Sequence, residues 1–249
     1  MEIRKYTVAI LCLLFPVKFI YRILNLLGNN VHPTAKIGFS IIWIDGKIIL
    51  NSQATIGSFN FLRLQQLTMH SSSYMHNFNN INSLPIHLLL HKNAALGNKI
   101  SIYCAQKPIS YGNIIFEIGV FSKLTSNHKV DCTRSIYVGN YSIIAGSDTQ
   151  IWTHGYYHAS TGIERIRIDG EIHIGNNVYV GSRCTIMPGV RVADGVHIGA
   201  NCCISKSLSK SGMYVSQPLR YIDNDINSIR EKLDKVEGYD LCEEVYEKK

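Results

Sequence analysis

From Ile168 to Ile204 the chain reads IDGEIHIGNNVYVGSRCTIMPGVRVADGVHIGANCCI. Every sixth residue, Ile168, Ile174, Val180, Ile186, Val192, Ile198 and Ile204, is a branched aliphatic. With about a third of ordinary residues suitable, seven such hits arise by chance roughly once in two thousand trials. The period is therefore a structural repeat, read before any local propensity. Directly after these positions come Gly175, Gly181, Ala193 and Gly199, and small or branched residues recur between them at Ile172, Val178, Cys184, Val190, Val196 and Cys202. A period of six fits neither a helix nor simple alternation, and polar pairs such as Asn176-Asn177 sit where corners belong.

A chain that makes one flat face every six residues and closes after three stacks residue n on residue n+18, about 4.8 Å further along. The expected ladders are Ile168-Ile186-Ile204, Ile174-Val192 and Val180-Ile198, an interior filled by aliphatic side chains. Cys184 and Cys202 fall in the same stack and read as small buried hydrophobes. Upstream the register continues less regularly through Ile37-Gly38, Ile56-Gly57, Leu96-Gly97, Ile118-Gly119 and Val138-Gly139. After Ile144 the six-step positions are Gln150, Tyr156 and Gly162, which cannot fill an apolar interior. Residues 147–167 are thus expected to leave the wall as a loop, and Trp152-Thr153-His154-Gly155-Tyr156-Tyr157-His158 within it has the composition of a site.

The 249 residues, 46% hydrophobic and 17% charged, exclude a disordered chain. Lys and Arg number 25 against 18 Asp and Glu, compatible with an acidic or phosphorylated ligand, but they are dispersed and predict no nucleic-acid binding. Seven cysteines without a Cys-x-x-Cys pair suggest neither a disulfide framework nor a zinc module and fit a reducing cytoplasm. The uncharged run Tyr6–Val17 is shorter than the roughly 20 residues of a membrane span, and it lacks the cleavage site of a signal peptide. Three regions are expected: an N-terminal helix over 1–30, a solenoid over 31–222, and a charged helical extension over 223–249. The N-terminal helix either caps the open end of the stack or touches an anionic membrane at its inner face through residues 1–29, with Pro16 interrupting its length.

The repeat together with Asn176-Asn177-Val178-Tyr179-Val180-Gly181 resembles the left-handed β-helix acyltransferases of the hexapeptide-repeat superfamily. The likeness covers Ser135 to Ile222 and is greatest to sugar and capsule O-acetyltransferases. It implies an all-β solenoid, a left-handed parallel β-helix with helices at both ends, acetyl-CoA as co-substrate, no metal, a glycan acceptor, and a homotrimer with active sites between subunits. His154 matches the family's loop histidine and is expected to be the catalytic base, since neutral imidazole removes a hydroxyl proton near pH 7. His158 is the fallback for that role and is expected to contact the acceptor. Asn127 matches an acceptor-binding asparagine, and His128 and Trp152 are expected to face the same cleft. Tyr179 stands where the family carries tryptophan and would cover the pantetheine arm or the acceptor ring. A backbone N–H at Gly181 or Ser182 would meet the developing oxyanion. Ser182, Ala200, Ser205, Lys206 and Arg220 match the CoA groove, the two cations serving its phosphates. The tail Val215-Ser216-Gln217-Pro218-Leu219-Arg220 departs from the family's Gly-x-Pro-Ala-Arg.

The expected function is acetyl transfer from acetyl-CoA to a sugar hydroxyl of a surface polysaccharide or its precursor. Acetylation of an amino sugar nucleotide, of serine or of an antibiotic is the alternative within the family. A binding or scaffold solenoid is the alternative outside catalysis. A zinc hydratase on the same stack would need three histidine ligands on neighbouring coils, a spacing the chain does not show.

Overall fold

The computed structural model describes residues 2–15, 17–106, 109–163, 165–216, 220–222, 231, 233–235 and 246–248. Its body is a parallel β-solenoid with three faces, each carrying one ladder of inward side chains. On the first face Val31, Leu50, Met69, Leu90, Ile118, Val138, Ile174 and Val192 lie in register. On the second the order is Ile37, Ile56, Met75, Leu96, Leu124, Ile144, Val180 and Ile198. On the third it is Leu62, Ile81, Ile102, Val130, Ile151, Ile186 and Ile204. All these side chains are buried, which makes the interior a continuous aliphatic column. This is the architecture of a left-handed β-helix of hexapeptide repeats.

Ile174-Val192, Val180-Ile198 and Ile186-Ile204 stack as their spacing requires. Ile168 does not join them. It pairs with Gly155 in an antiparallel hairpin, His154–His158 against Arg165–Asp169, and is 52% exposed. Ile151 takes its place between Val130 and Ile186. The hairpin strand alternates Ile and Arg, so one of its isoleucines falls on the six-residue count without belonging to the wall. Leu96 and Leu124 are one coil but 28 positions apart, and Ile144 and Val180 one coil but 36 apart. The second excess contains the hairpin; the first is an excursion in which the chain leaves after Tyr103 and rejoins at Ile114. The upstream Ile-Gly and Leu-Gly pairs are coil positions divided between two faces, which is why their spacing is uneven.

Corners are held by close packing and by polar ladders. A Cβ on Gly97 would lie 1.3 Å from the Thr125 carbonyl oxygen, so only glycine fits. At another corner the Val120 N–H donates to Asn140 Oδ1 (2.7 Å), the Asn140 N–H to Asn176 Oδ1 (2.8 Å) and the Asn176 N–H to Asp194 Oδ1 (2.7 Å). The last of these bonds, with a second from the Asn176 side-chain amide, holds the Asp194 carboxyl below its usual range.

The N-terminal region is two helices rather than one, α1 (Glu2–Leu14) and α2 (Val17–Leu26), because the residue before Pro16 is steered away from helical geometry. Val8 and Cys12 of α1 and Val17, Ile20 and Leu24 of α2 are buried against the first coil. Lys5 Nζ meets Asp45 Oδ1 at 2.6 Å, and Arg4 donates to the Asp45 carbonyl at 2.7 Å. The helix expected over 223–249 lies largely outside the described residues. Where it is described, Leu233–Lys235 and Tyr246–Lys248 pair as antiparallel strands, a correction to the helical reading.

Candidate active site

Ile151 points inward and Thr153 is buried at the corner between the third and first faces. The chain then turns outward into the hairpin, whose first residue is His154. One coil earlier the same corner holds Asp131, 1% exposed. His154 Nδ1 lies 2.8 Å from Asp131 Oδ2, close in distance though bent from the line of an ideal hydrogen bond. The carboxylate is otherwise fixed: Oδ1 accepts from the Thr133 N–H (2.9 Å) and the Thr153 hydroxyl (2.8 Å), and Oδ2 from the Thr133 hydroxyl (3.3 Å). With Nδ1 turned toward this carboxylate, the geometry suits the imidazole tautomer that carries its proton on Nδ1. Nε2 is then the ring nitrogen turned away from Asp131, on a side chain that is 23% exposed.

Two walls flank this dyad. Tyr156 of the hairpin sits edge-on to His154, ring centres 6.0 Å apart. Arg167 Nη2 binds Asp169 Oδ2 at 2.7 Å, which raises the guanidinium pKa, and donates to the Ile109 carbonyl at 2.8 Å. Arg134 lies 4.3 Å from the centre of the Tyr111 ring and donates to the Tyr111 carbonyl at 2.8 Å. The excursion after Tyr103 is thereby tied both to the hairpin and to the coil of Asp131. Trp152 is half-buried beside it, its indole N–H on Gln150 Oε1 (3.2 Å) and its ring edge-on to Tyr103.

The other expected site residues divide. Asn127 is exposed at a corner, backbone φ 60°, with its amide donating to Asp148 Oδ1. His128 is fully buried: Nδ1 accepts from the Thr149 N–H (3.2 Å) and Nε2 lies 3.2 Å from the Thr125 hydroxyl. Both ring nitrogens serve the corner, and burial lowers its pKa, so it is removed from the acceptor-facing set. His158 is exposed on the hairpin, opposite Arg165. Tyr179 is 44% exposed on the second face and stacks on His197, ring centres 5.9 Å apart. The Gly181 N–H is committed to the Ile198 carbonyl at 2.8 Å, so of the two backbone donors expected at the oxyanion this one is already used in the coil. Ser182 packs where Gly146 (φ 65°) has no side chain; a Cβ there would meet Ser182 Oγ at 1.6 Å. Ala200 is exposed on the corner of Ser182, whereas exposed Ser205 and Lys206 follow Ile204 at the corner of His154. Arg220 pairs by its backbone with Val215, antiparallel, and its side chain lies outside the described atoms.

Asp131 and the first excursion were not among the expected site features. Their signal is the coil register: Val130 stacks on Ile151, so Asp131 must sit above the corner from which His154 departs. Among the described residues no cluster of three His, Cys, Asp or Glu side chains is placed to hold a metal. Burial pushes the Cys12 thiol up to about 12 and those of Cys104 and Cys184 to about 11, so none is a thiolate near neutrality.

Residues 171–206 match the family described as bacterial transferase hexapeptide (six repeats). The coil stack is a hexapeptide-repeat solenoid. A Staphylococcus aureus (strain Mu50) protein, itself only provisionally designated an acetyltransferase, is 36% identical over 76 residues, 29% of this chain and 37% of that protein. A protein of Lysinibacillus sphaericus named as a probable macrolide acetyltransferase is 37% identical over 68 residues, 27% of this chain and 38% of its own. The matched segment thus spans little more than a third of these relatives. Crystal structures of the polySia-specific acetyltransferase NeuO and the polysialic acid O-acetyltransferase OatWY superpose with TM-scores of 0.51 and 0.50. Each likeness covers 80% of this chain, with 86% of NeuO and 85% of OatWY, at 18% and 16% identity. At that identity the likeness establishes the fold of the repeat.

Proposed function

We propose that the chain is an acetyl-CoA-dependent O-acetyltransferase that modifies a sugar hydroxyl of a surface polysaccharide or its precursor. The observation that carries this reading is His154 facing buried, hydrogen-bonded Asp131 where the hairpin leaves the wall. His154 Nε2 takes the acceptor hydroxyl proton as the oxygen attacks the thioester carbonyl. The tetrahedral intermediate collapses by breaking the carbon–sulfur bond, and the same proton passes from Nε2 to the departing thiolate. Asp131 keeps the ring oriented and stabilises the imidazolium without taking the proton. The Ser182 N–H, which is free of the strand ladder, suits the oxyanion. No acyl-enzyme is required, in keeping with the buried thiols of Cys12, Cys104 and Cys184, which burial holds protonated.

Lys206 and Ser205 are exposed where a phosphate-bearing donor could run, with Arg220 the further cation of that groove; exposed Tyr179 and the small Ala200 suit its pantetheine arm. Within one chain, however, Tyr179, Ser182 and Ala200 are separated from His154 by the width of the third face. A site between neighbouring copies, as in a homotrimer, brings the two sets together. The experiment is incubation with acetyl-CoA and a panel of capsular polysaccharides, oligosaccharides, sugar nucleotides and a macrolide. The proposal expects thiol release that depends on a glycan and a product ester cleaved by hydroxylamine. An amide product, a macrolide ester, or no thiol release and no CoA binding would replace it with the amino-sugar, antibiotic or scaffold reading respectively.

A further inference from the structure

The helices α1 and α2 are apolar on two sides. Their inner stripes, Val8 and Cys12 on α1 and Val17, Ile20 and Leu24 on α2, are consumed in capping the first coil. Their outer stripes are not covered. Ile3, Tyr6, Ile10 and Leu13, spaced three or four residues apart, are 82%, 52%, 54% and 42% exposed. Phe19, Ile23 and Leu26, again at helical spacing, are 66%, 43% and 88% exposed, with Leu14 and Phe15 at the junction. A helix that only caps a solenoid presents a polar outer face to water, so this second stripe calls for an apolar neighbour.

The charge beside the stripes identifies that neighbour. Lys18 and Arg22 are exposed next to Phe19 and Ile23, and between Glu2 and Asp45 the chain has no acidic residue. On α2 the apolar side chains are flanked by exposed cations and no acid, which matches an anionic bilayer, whose headgroups attract lysine and arginine while its acyl boundary accepts Phe, Leu and Ile. A second copy of the chain would present the same cations to the same cations. Neither helix can cross: the longer has 13 residues, and no described helix is long and apolar enough to span. In any threefold assembly whose axis follows the stack, three such caps lie on one side and engage one surface together, so that avidity exceeds the affinity of a single cap.

We propose that the outer face of α1 and α2 docks the protein on an anionic membrane surface, parallel to the bilayer. The test is flotation of the full chain with vesicles of phosphatidylcholine alone or with added phosphatidylglycerol. The expected result is binding to the anionic vesicles, reduced by high salt. Because the substituted side chains are exposed, Phe19→Ser with Leu26→Ser should fold normally and bind at least about tenfold more weakly; Lys18→Glu with Arg22→Glu should lose the preference for phosphatidylglycerol. Wild-type protein that stays unbound with every vesicle overturns the proposal. So does a loss of oligomer mass by light scattering in the Phe19→Ser, Leu26→Ser variant, which would make the face an interface between copies. Acetyl transfer to a soluble acceptor is unchanged in these variants, so this result stands apart from that of the catalytic proposal.

Discussion

At the scale of single residues the candidate site turns on a buried carboxylate. Asp131 has 1% exposure and receives hydrogen bonds from the Thr133 N–H and the Thr153 hydroxyl as well as facing His154. Asp131→Asn preserves the shape but lets the amide present a donor to Nδ1, which favours the wrong imidazole tautomer. The expected result is a fall of about 10²–10⁴-fold in kcat with KM for acetyl-CoA little changed. Cys184→Ala, by contrast, is expected to leave kcat intact and to cost stability only, since its thiol is pushed up to about 11 and lies in the stack. A loss of turnover in that variant would point to covalent chemistry. His154 was recognisable in the sequence because its loop interrupts a regular repeat. Asp131 was not, since it lies upstream of the even register and looks like any acid until Val130 is placed on Ile151.

At the scale of coils and hairpins, six-residue spacing identified the three ladders over Ile172–Ile204 because every coil there is 18 residues long. It failed at Ile168, where an alternating hairpin strand supplied one more isoleucine in step. Side-chain identity alone cannot separate an inward isoleucine from one on a protruding ribbon; the neighbours decide, and Ile168 lies between Arg167 and Asp169. Two truncations read this difference directly. Ile151→Ala opens a hole in the third ladder and should cost about 2–5 kcal/mol, whereas Ile168→Ala, at a half-exposed hairpin position, should stay within about 0.5 kcal/mol. Denaturant titration of both separates them, and equal costs would restore Ile168 to the wall. The upstream coils were less legible because 19-residue turns and the 28-residue coil break the count, and the excursion after Tyr103 carries no repeat at all.

At the scale of the whole molecule, stability is expected to depend on pH through buried and half-buried imidazoles. Burial lowers the pKa of His70, His87, His128 and His197 in the folded chain. Between those lowered values and the unfolded value near 6.5, unfolding takes up protons, so stability is greatest above about pH 6.5 and falls as the pH drops below it. Thermal melts from pH 7.5 to 5.5 should show a falling Tm, less steep in His128→Asn; a flat profile would mean that these rings are solvated in the folded state. The assembly and its acceptor concern the same scale, because one chain holds His154 and the Tyr179 set on opposite sides of a face. The central claim is that His154 is the base of an acetyl transfer. The measurement that tests it most directly is glycan-dependent thiol release from acetyl-CoA by wild type beside His154→Ala, with folding of the variant checked by its melt. Turnover in the wild type and a loss of at least about a hundredfold in the variant are expected; full activity in a folded His154→Ala protein would contradict His154 as the base.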